Sequence, residues 1–233
     1  MPSLGLDTST RTQSVALAAG GSLIAQVSLH PTLTHSETLI RNIDRVLTSA
    51  GLRMRDLSAI AVVSGPGSFT GLRIGMATAK GLAMASGAPL AGFSTLSVLA
   101  EALAMSGPPG REFRVCALVD AGRGQVYRGL YRAETRTDGG ACVTPIETET
   151  ACLPEEALRG VESGSLVGGD GALHYRDRLG PLLRGAVLVE VTPPLAPRLA
   201  LIADALQSRS RLGDHPLAPN YVRLPDALKG PAR

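Results

Sequence analysis

Short apolar runs broken by turn residues open the chain, and longer helical periodicities follow them. Residues 3–6 form an apolar run that stops at Asp7-Thr8-Ser9-Thr10. A second run covers 14–18, Gly20-Gly21 makes a turn, and a third run covers 23–29. This spacing predicts a three-stranded meander with hairpin connections. Thr34 then stands as the N-cap of a helix, with Glu37 three residues on to complete a capping box. Leu39, Ile40, Ile43, Val46, Leu47 and Ala50 recur at helical spacing until Gly51 ends the pattern. An apolar run at 59–63, a glycine-rich turn, a helical pattern at 70–86, a run at 90–93 and a helical pattern at 96–105 complete a first unit.

Gly107-Pro108-Pro109-Gly110 can continue neither a helix nor a strand and marks a boundary. Beyond it the opening returns. An apolar run at 115–119 ends in Asp120, a small polar turn follows, and Gln125-Val126-Tyr127 starts the next strand, as Gln13-Ser14-Val15 does after Asp7. Chance similarity between two hairpins would give the same match. Helical patterns near 154–159, 171–183 and 197–207 nevertheless keep the order of elements, and an internal duplication accounts for both. The expected organisation is a first lobe at 1–106, a second at 111–211 and an irregular tail at 212–233, whose last twenty residues hold four prolines.

Three meandering strands feeding helix-crossed strands, twice over, is the pattern of the actin/hexokinase/Hsp70-like (ASKHA) ATPase-type fold. That is an α/β architecture of two lobes, each a mixed sheet flanked by helices. In it the acidic residue that ends each half's first strand faces a nucleotide and its metal. Asp7 and Asp120 hold those two positions. The alternative is that each merely closes its hairpin as an Asx-turn.

Composition narrows the function classes. A hydrophobic share of 44% against 18% charged residues excludes disorder, and 233 residues suffice to bury a core. Aromatics at 3%, with no tryptophan, argue against a platform for stacking bases. A net charge of +3 from scattered basic residues argues against autonomous RNA binding. Cys116, Cys142 and Cys152 are odd in number and lack metal-ligand or redox spacing, as in a reduced cytosolic protein. With no apolar stretch of membrane-span length and no charged leader, a cytoplasmic protein away from membranes is expected.

The richest segment is Ser64-Gly-Pro-Gly-Ser-Phe-Thr-Gly-Leu-Arg-Ile-Gly75. A strand, a glycine turn and a helix N-terminus in that order bring free N–H groups and the helix dipole together. Gly65, Gly67, Ser68 and Thr70, with Asp7, Thr8 and Asp120, therefore form the candidate nucleotide or anion site. A Walker loop is ruled out, because Gly67 to Gly71 is too short and Leu72 follows where lysine is required. A serine-hydrolase elbow fails because Ser68 has Pro66 and Thr70 where glycines belong. His30 and His35 lie at the wrong spacing for a metal, and His174 and His215 stand alone, so neither a catalytic residue nor a metal ligand is expected. In the helix that follows, Gly71, Gly75, Ala79, Ala83 and Gly87 recur every four residues. Glycine inside a helix costs about 1 kcal/mol relative to alanine. The stripe either packs closely on the chain's own sheet or receives a partner helix, with Arg73 and Lys80 at its rim.

These residues resemble the TsaB (YeaZ) family. The resemblance rests on Leu-Asp-Thr-Ser-Thr at 6–10, Ser-Val-Ala-Leu at 14–17, His35-Ser36-Glu37, the glycine segment, Ala79-Lys80-Gly81-Leu82 and Ser94-Thr95-Leu96. In the second half Val119-Asp120-Ala121, Val126-Tyr127, Gly168-Gly169-Asp170-Gly171 and Pro219-Asn220-Tyr221-Val222-Arg223 add to it. The resemblance implies a non-catalytic scaffold of the tRNA threonylcarbamoyl-transferase machinery that pairs with its catalytic, metal-binding paralogue TsaD. The ATPase TsaE joins them, ATP is used by the complex, and tRNA is met only within it; no cofactor is expected on this chain. The family's subunit contact maps to about 35–50 and 70–86, which names His35, Leu39, Gly71, Arg73, Gly75, Ala79 and Ala83 as interface residues. Homodimers would use the same helices. Gly122 and Gln125 depart from the family's arginine and glutamate, and 134–165 has no counterpart. The competing expectation is a small ATPase or sugar-kinase-like enzyme of the same fold.

Overall fold

Backbone pairing turns the apolar runs into two sheets. The computed structural model describes residues 1–30, 35–135 and 140–222, with the side chains of 35–37 excepted. Strands β1 (Ser3–Asp7), β2 (Gln13–Ala19) and β3 (Ser22–Leu29) form the expected antiparallel meander. Helix α1 (His35–Ser49) leads to β4 (Ala59–Gly65), which pairs parallel with β1. Helix α2 (Phe69–Ser86) then leads to β5 (Leu90–Ser94), parallel to β4. The sheet order is β3-β2-β1-β4-β5. Its centre is apolar on both faces, with Leu4, Leu6, Ile60 and Val62 buried on one and Ala59, Ala61 and Val63 on the other, as strands covered by helices on two sides require.

Helix α3 (Thr95–Ala104) crosses to the second lobe. There β6 (Glu112–Gly122), β7 (Gln125–Thr135) and β8 (Ala141–Pro145) repeat the antiparallel meander, with β9 (Thr150–Cys152) added on β7. β10 (Leu166–Gly168) pairs parallel with β6, and β11 (Val187–Leu188) parallel with β10. The order β11-β10-β6-β7-β8 matches the first sheet connection for connection. The duplication read from two short hairpins is thus present in the strand pairing.

The second lobe's helices depart from the expected pattern. Only a 3-10 turn, Pro154–Glu156, stands where 154–159 predicted a helix. The pattern at 171–183 breaks into α4 (Asp170–His174), α5 (Arg176–Leu179) and a 3-10 turn at Gly180–Leu182, where Gly180-Pro181 stops regular helix. Helix α6 (Leu195–Ser208) starts earlier than residue 197, with Pro197 in its first turn, where a missing N–H has no cost. α6 packs on β1, β2 and β4 of the first sheet, with Ala196 and Ala200 against Ala16 and Ala18. One hydrophobic core accordingly runs through both lobes, from Leu4 and Val62 to Val115, Val119 and Tyr131. Thr34, the Glu37 side chain and Arg223 onward lie outside the described residues.

Candidate functional site

The β1–β2 turn of the first lobe and the β6–β7 turn of the second line one cavity. A cleft of about 650 Å³ opens between them. Ser9, Thr10 and Arg11 of the β1–β2 turn and Gly67, Ser68 and Phe69 line it from the first lobe. Asp120, Arg123 and Tyr127 of the β6–β7 hairpin and Asp170 at the start of α4 line it from the second. Asn220, Tyr221 and Val222 close one end.

Both aspartates named from the sequence close an Asx-turn. Asp7 Oδ1 accepts from the Ser9 N–H at 2.8 Å and the Ser9 hydroxyl at 2.7 Å. Asp120 Oδ1 accepts from the Gly122 N–H at 2.9 Å and from the Tyr175 hydroxyl at 3.4 Å. Hairpin closure and a place at the cleft are therefore not exclusive. Asp7 itself is buried and does not line the cavity; the carboxylates that do are Asp120 and Asp170. Asp170 Oδ1 accepts the Asp120 N–H at 3.2 Å. Burial pushes the Asp7 carboxyl up to about 6 against the bonds from Ser9, and the charge of Asp170 adds to the rise. Burial also raises Asp170, opposed by the Asp120 and Gly171 N–H groups.

The glycine loop is filled from within. The Ser68 N–H donates to Ser9 O at 2.6 Å, and the Ser68 hydroxyl caps α2 by accepting from the Gly71 N–H. A methyl group at Gly67 would lie 2.3 Å from Ser9 O. Of the residues assigned here from the sequence, Gly67 and Ser68 line the cleft. Gly65, Thr8 and Thr70 do not, and the Thr8 hydroxyl is engaged, donating to Gly71 O at 2.7 Å.

Of the two places expected for the small-residue stripe, the chain's own sheet or a partner surface, Gly71, Gly75 and Ala79 take the first, so these three are corrected as partner contacts, while Gly87 is exposed. Gly71, Gly75 and Ala79 are buried, and a methyl at Gly71 or Gly75 would meet Thr8 at 2.0 or 2.3 Å. Leu39 is likewise fully buried beneath α1, and Ala83 is half-buried. The His35 side chain lies outside the described residues. Among the described members of that set Arg73 alone is exposed, its guanidinium 3.7 Å over the Phe69 ring. Among the described residues, the large apolar side chains exposed on α1 and α2 are instead Ile40 at 56%, Phe69 at 42% and Met84 at 87%.

Sequence reasoning did not pick out Glu149. Its carboxylate accepts from Ser94 of the first lobe, from the Tyr131 hydroxyl of the second at 2.7 Å and from the Asn220 amide at 2.8 Å. Burial and the Glu149 charge push the Tyr131 phenol up, so it remains a donor. The Asn220 N–H also donates to Ser64 O at 2.8 Å, which seats the tail beside the glycine loop. Asp170, Tyr127 and Tyr221 were legible only as parts of family-like strings, with no sign that they share a cavity. Among the described residues no group of three or more His, Cys, Asp or Glu side chains is placed to hold a metal, and no helix is long and apolar enough to cross a membrane.

A profile of the TsaD family, described as tRNA N6-adenosine threonylcarbamoyltransferase, matches residues 25–162. The tRNA threonylcarbamoyladenosine biosynthesis protein TsaB of Bacillus subtilis is 30% identical over 232 residues, spanning 97% of this chain and 96% of that protein. TsaB of Escherichia coli is 37% identical over 153 residues, 65% of this chain and 62% of that one. The solved structure of YeaZ from Pseudomonas aeruginosa superposes with a TM-score of 0.73 at 30% identity, covering 91% of this chain and 95% of that one. An activator of 2-hydroxyisocaproyl-CoA dehydratase from Clostridium difficile shares the fold at 12% identity, with a TM-score of 0.50 over 94% of this chain and 100% of that one.

Proposed function

This chain belongs to the TsaB (YeaZ) family of tRNA threonylcarbamoyladenosine biosynthesis proteins, and we propose that it serves that pathway as a non-catalytic scaffold that pairs with TsaD and activates it. The observation that carries this reading is the glycine loop. Its close approaches are made to the chain's own Ser9 and Thr8, and one of its amides is spent on Ser9 O, so its glycines serve packing before any phosphate. That supports a paralogue in which the loop has become structural. The outward faces of α1 and α2, with Ile40, Met84 and Arg73, are the surface offered to TsaD. A second copy of this chain would use the same faces, so homodimer and heterodimer compete. TsaE joins the pair, tRNA is met within the complex in the cytoplasm, and ATP is consumed by the complex rather than by this chain.

The test is a tRNA-modification assay with TsaD, TsaE, ATP and a threonylcarbamoyl donor, with and without this chain. Modification is expected only when chain and TsaD are both present. Modification by the chain alone would sink the reading. A second reading, a small ATPase or sugar-kinase-like enzyme, has one observation in its favour: Asp120 and Asp170 line a cleft of nucleotide size. Magnesium-dependent ATP turnover by the pure chain, lost in Asp7→Ala, would support it.

A further inference from the structure

The chain has seven aromatic residues of the Phe and Tyr types, and three of them line the interlobe cleft: Phe69, Tyr127 and Tyr221. Two of the three sit at its mouth with large exposed surfaces, Phe69 at 42% and Tyr221 at 40%. Their ring centroids are 5.9 Å apart and tilted by 39°, and the Arg73 guanidinium lies 3.7 Å over Phe69. A ladder of guanidinium, phenyl and phenol thus stands in solvent, with the exposed Arg11 on the same cleft. Neither ring is among the described residues of the hydrophobic core, where burial of apolar area would place it. Arginine and aromatic faces in alternation are what an unstacked base recognises.

Charge inside the cleft selects the rest of the ligand. Asp120 and Asp170 accept hydroxyl groups and repel phosphate, whereas the cleft-lining Arg11 and Arg123 attract it, as does Arg73 beside the cleft over Phe69. A ribonucleotide fits this polarity with its sugar inward, its base on the ladder and its phosphates at the rim. The sugar hydroxyl that faces a carboxylate is also the group that separates RNA from DNA.

We propose that the mouth of the interlobe cleft holds one unstacked ribonucleotide of an RNA loop, its base stacked on Tyr221 and Phe69. This rests on the reading that places the chain beside a tRNA-modifying partner. It adds that the scaffold itself grips substrate. The low aromatic share of the sequence argued against a stacking platform, but it concealed how few rings such a platform needs once folding gathers them.

The test measures anisotropy of a labelled, unmodified anticodon stem-loop hairpin bound to the chain–TsaD complex, beside the chain alone, a DNA hairpin of the same sequence and free AMP. Tyr221→Ala and Phe69→Ala are expected to weaken RNA binding by the complex about 5- to 100-fold, the range of a lost base stack. Arg11→Ala is expected to lower the slope of log affinity against log salt by about one. Ultraviolet cross-linking should join the hairpin to Tyr221 or Phe69, and the DNA hairpin should bind more weakly. Unchanged hairpin affinity in folded Tyr221→Ala and Phe69→Ala complexes overturns the proposal. So does an equal loss of TsaD pairing in those variants, which makes the ladder a protein contact, and so does AMP binding as tightly as the hairpin. If the wild-type chain fails to pair with TsaD, the scaffold reading fails; the chain-alone arm, read with the same two variants, still decides whether the ladder takes RNA.

Discussion

Asp7 is the residue whose environment opposes its own charge. It is buried, Ser9 donates two hydrogen bonds to one of its oxygens, and its carboxyl still rises to about 6 from an ordinary 3.8. The folded chain therefore binds this proton more tightly than the unfolded chain. Stability from the group is full below about pH 4 and is lost as pH climbs to about 6; above that, the buried charge costs roughly 3 kcal/mol. Asp7→Asn keeps an acceptor for Ser9 and removes the charge. It is expected to stabilise the chain by up to about 3 kcal/mol at pH 7.5 and to match the wild type near pH 4. Urea unfolding across that range measures the difference, and equal stability at pH 7.5 refutes it. Asp7 and Asp120 were legible because each ends an apolar run before a polar turn. Asp170 was not, because its approach to Asp120 depends on β10 pairing beside β6, fifty residues along the chain.

At the scale of one element, α2 carries two interior glycines with opposite surroundings. A methyl at Gly75 would lie 2.3 Å from the Thr8 hydroxyl oxygen, whose proton is donated to Gly71 O. A methyl at Gly81 meets nothing within 4 Å. Gly75→Ala is expected to destabilise by about 1–3 kcal/mol through overpacking. Gly81→Ala is expected to gain up to about 1 kcal/mol from helix propensity. Thermal unfolding of the two variants should move in opposite directions; a shared direction counts against the packing assigned to α2. Helical spacing in the sequence revealed the small side but not where it faced. That was decided by Thr8, sixty-three residues before Gly71. The partner surface must be sought on the other side. Ile40→Glu and Met84→Arg, on exposed positions, are expected to leave the melting temperature unchanged while weakening co-elution with TsaD at least tenfold. Intact co-elution of both variants removes α1 and α2 from the interface.

For the whole molecule, the duplication was legible in outline, because two hairpins and their apolar runs repeat. What locks the lobes together was not. Glu149 comes from the stretch with no recognisable pattern, and its three partners belong to the first lobe, the second lobe and the tail. No local periodicity records a side chain whose partners are fifty-five, eighteen and seventy-one residues away. Arg198 makes a second tie, joining α6 to Glu101 at 2.6 Å and to Ala141 O at 2.6 Å. Glu149→Ala would leave the Tyr131 and Ser94 hydroxyls without their acceptor and the Asn220 side-chain amide with only Gly65 O at 3.4 Å. The cost expected is about 1–3 kcal/mol, the range for stranding partly buried donors. A merely local loss would stop there. Because Asn220 also holds the tail on Ser64, the clamp predicts a second effect: the Asn220 backbone N–H, bonded to Ser64 O at 2.8 Å, should exchange with solvent faster than in the wild type. Glu149→Gln, which keeps one carbonyl acceptor, should recover part of both losses. Hydrogen exchange reads the tail and urea unfolding reads the lobes. Lost stability with unaltered exchange at Asn220 would mean that the tail is held by the glycine loop alone, and that Glu149 ties only the two lobes.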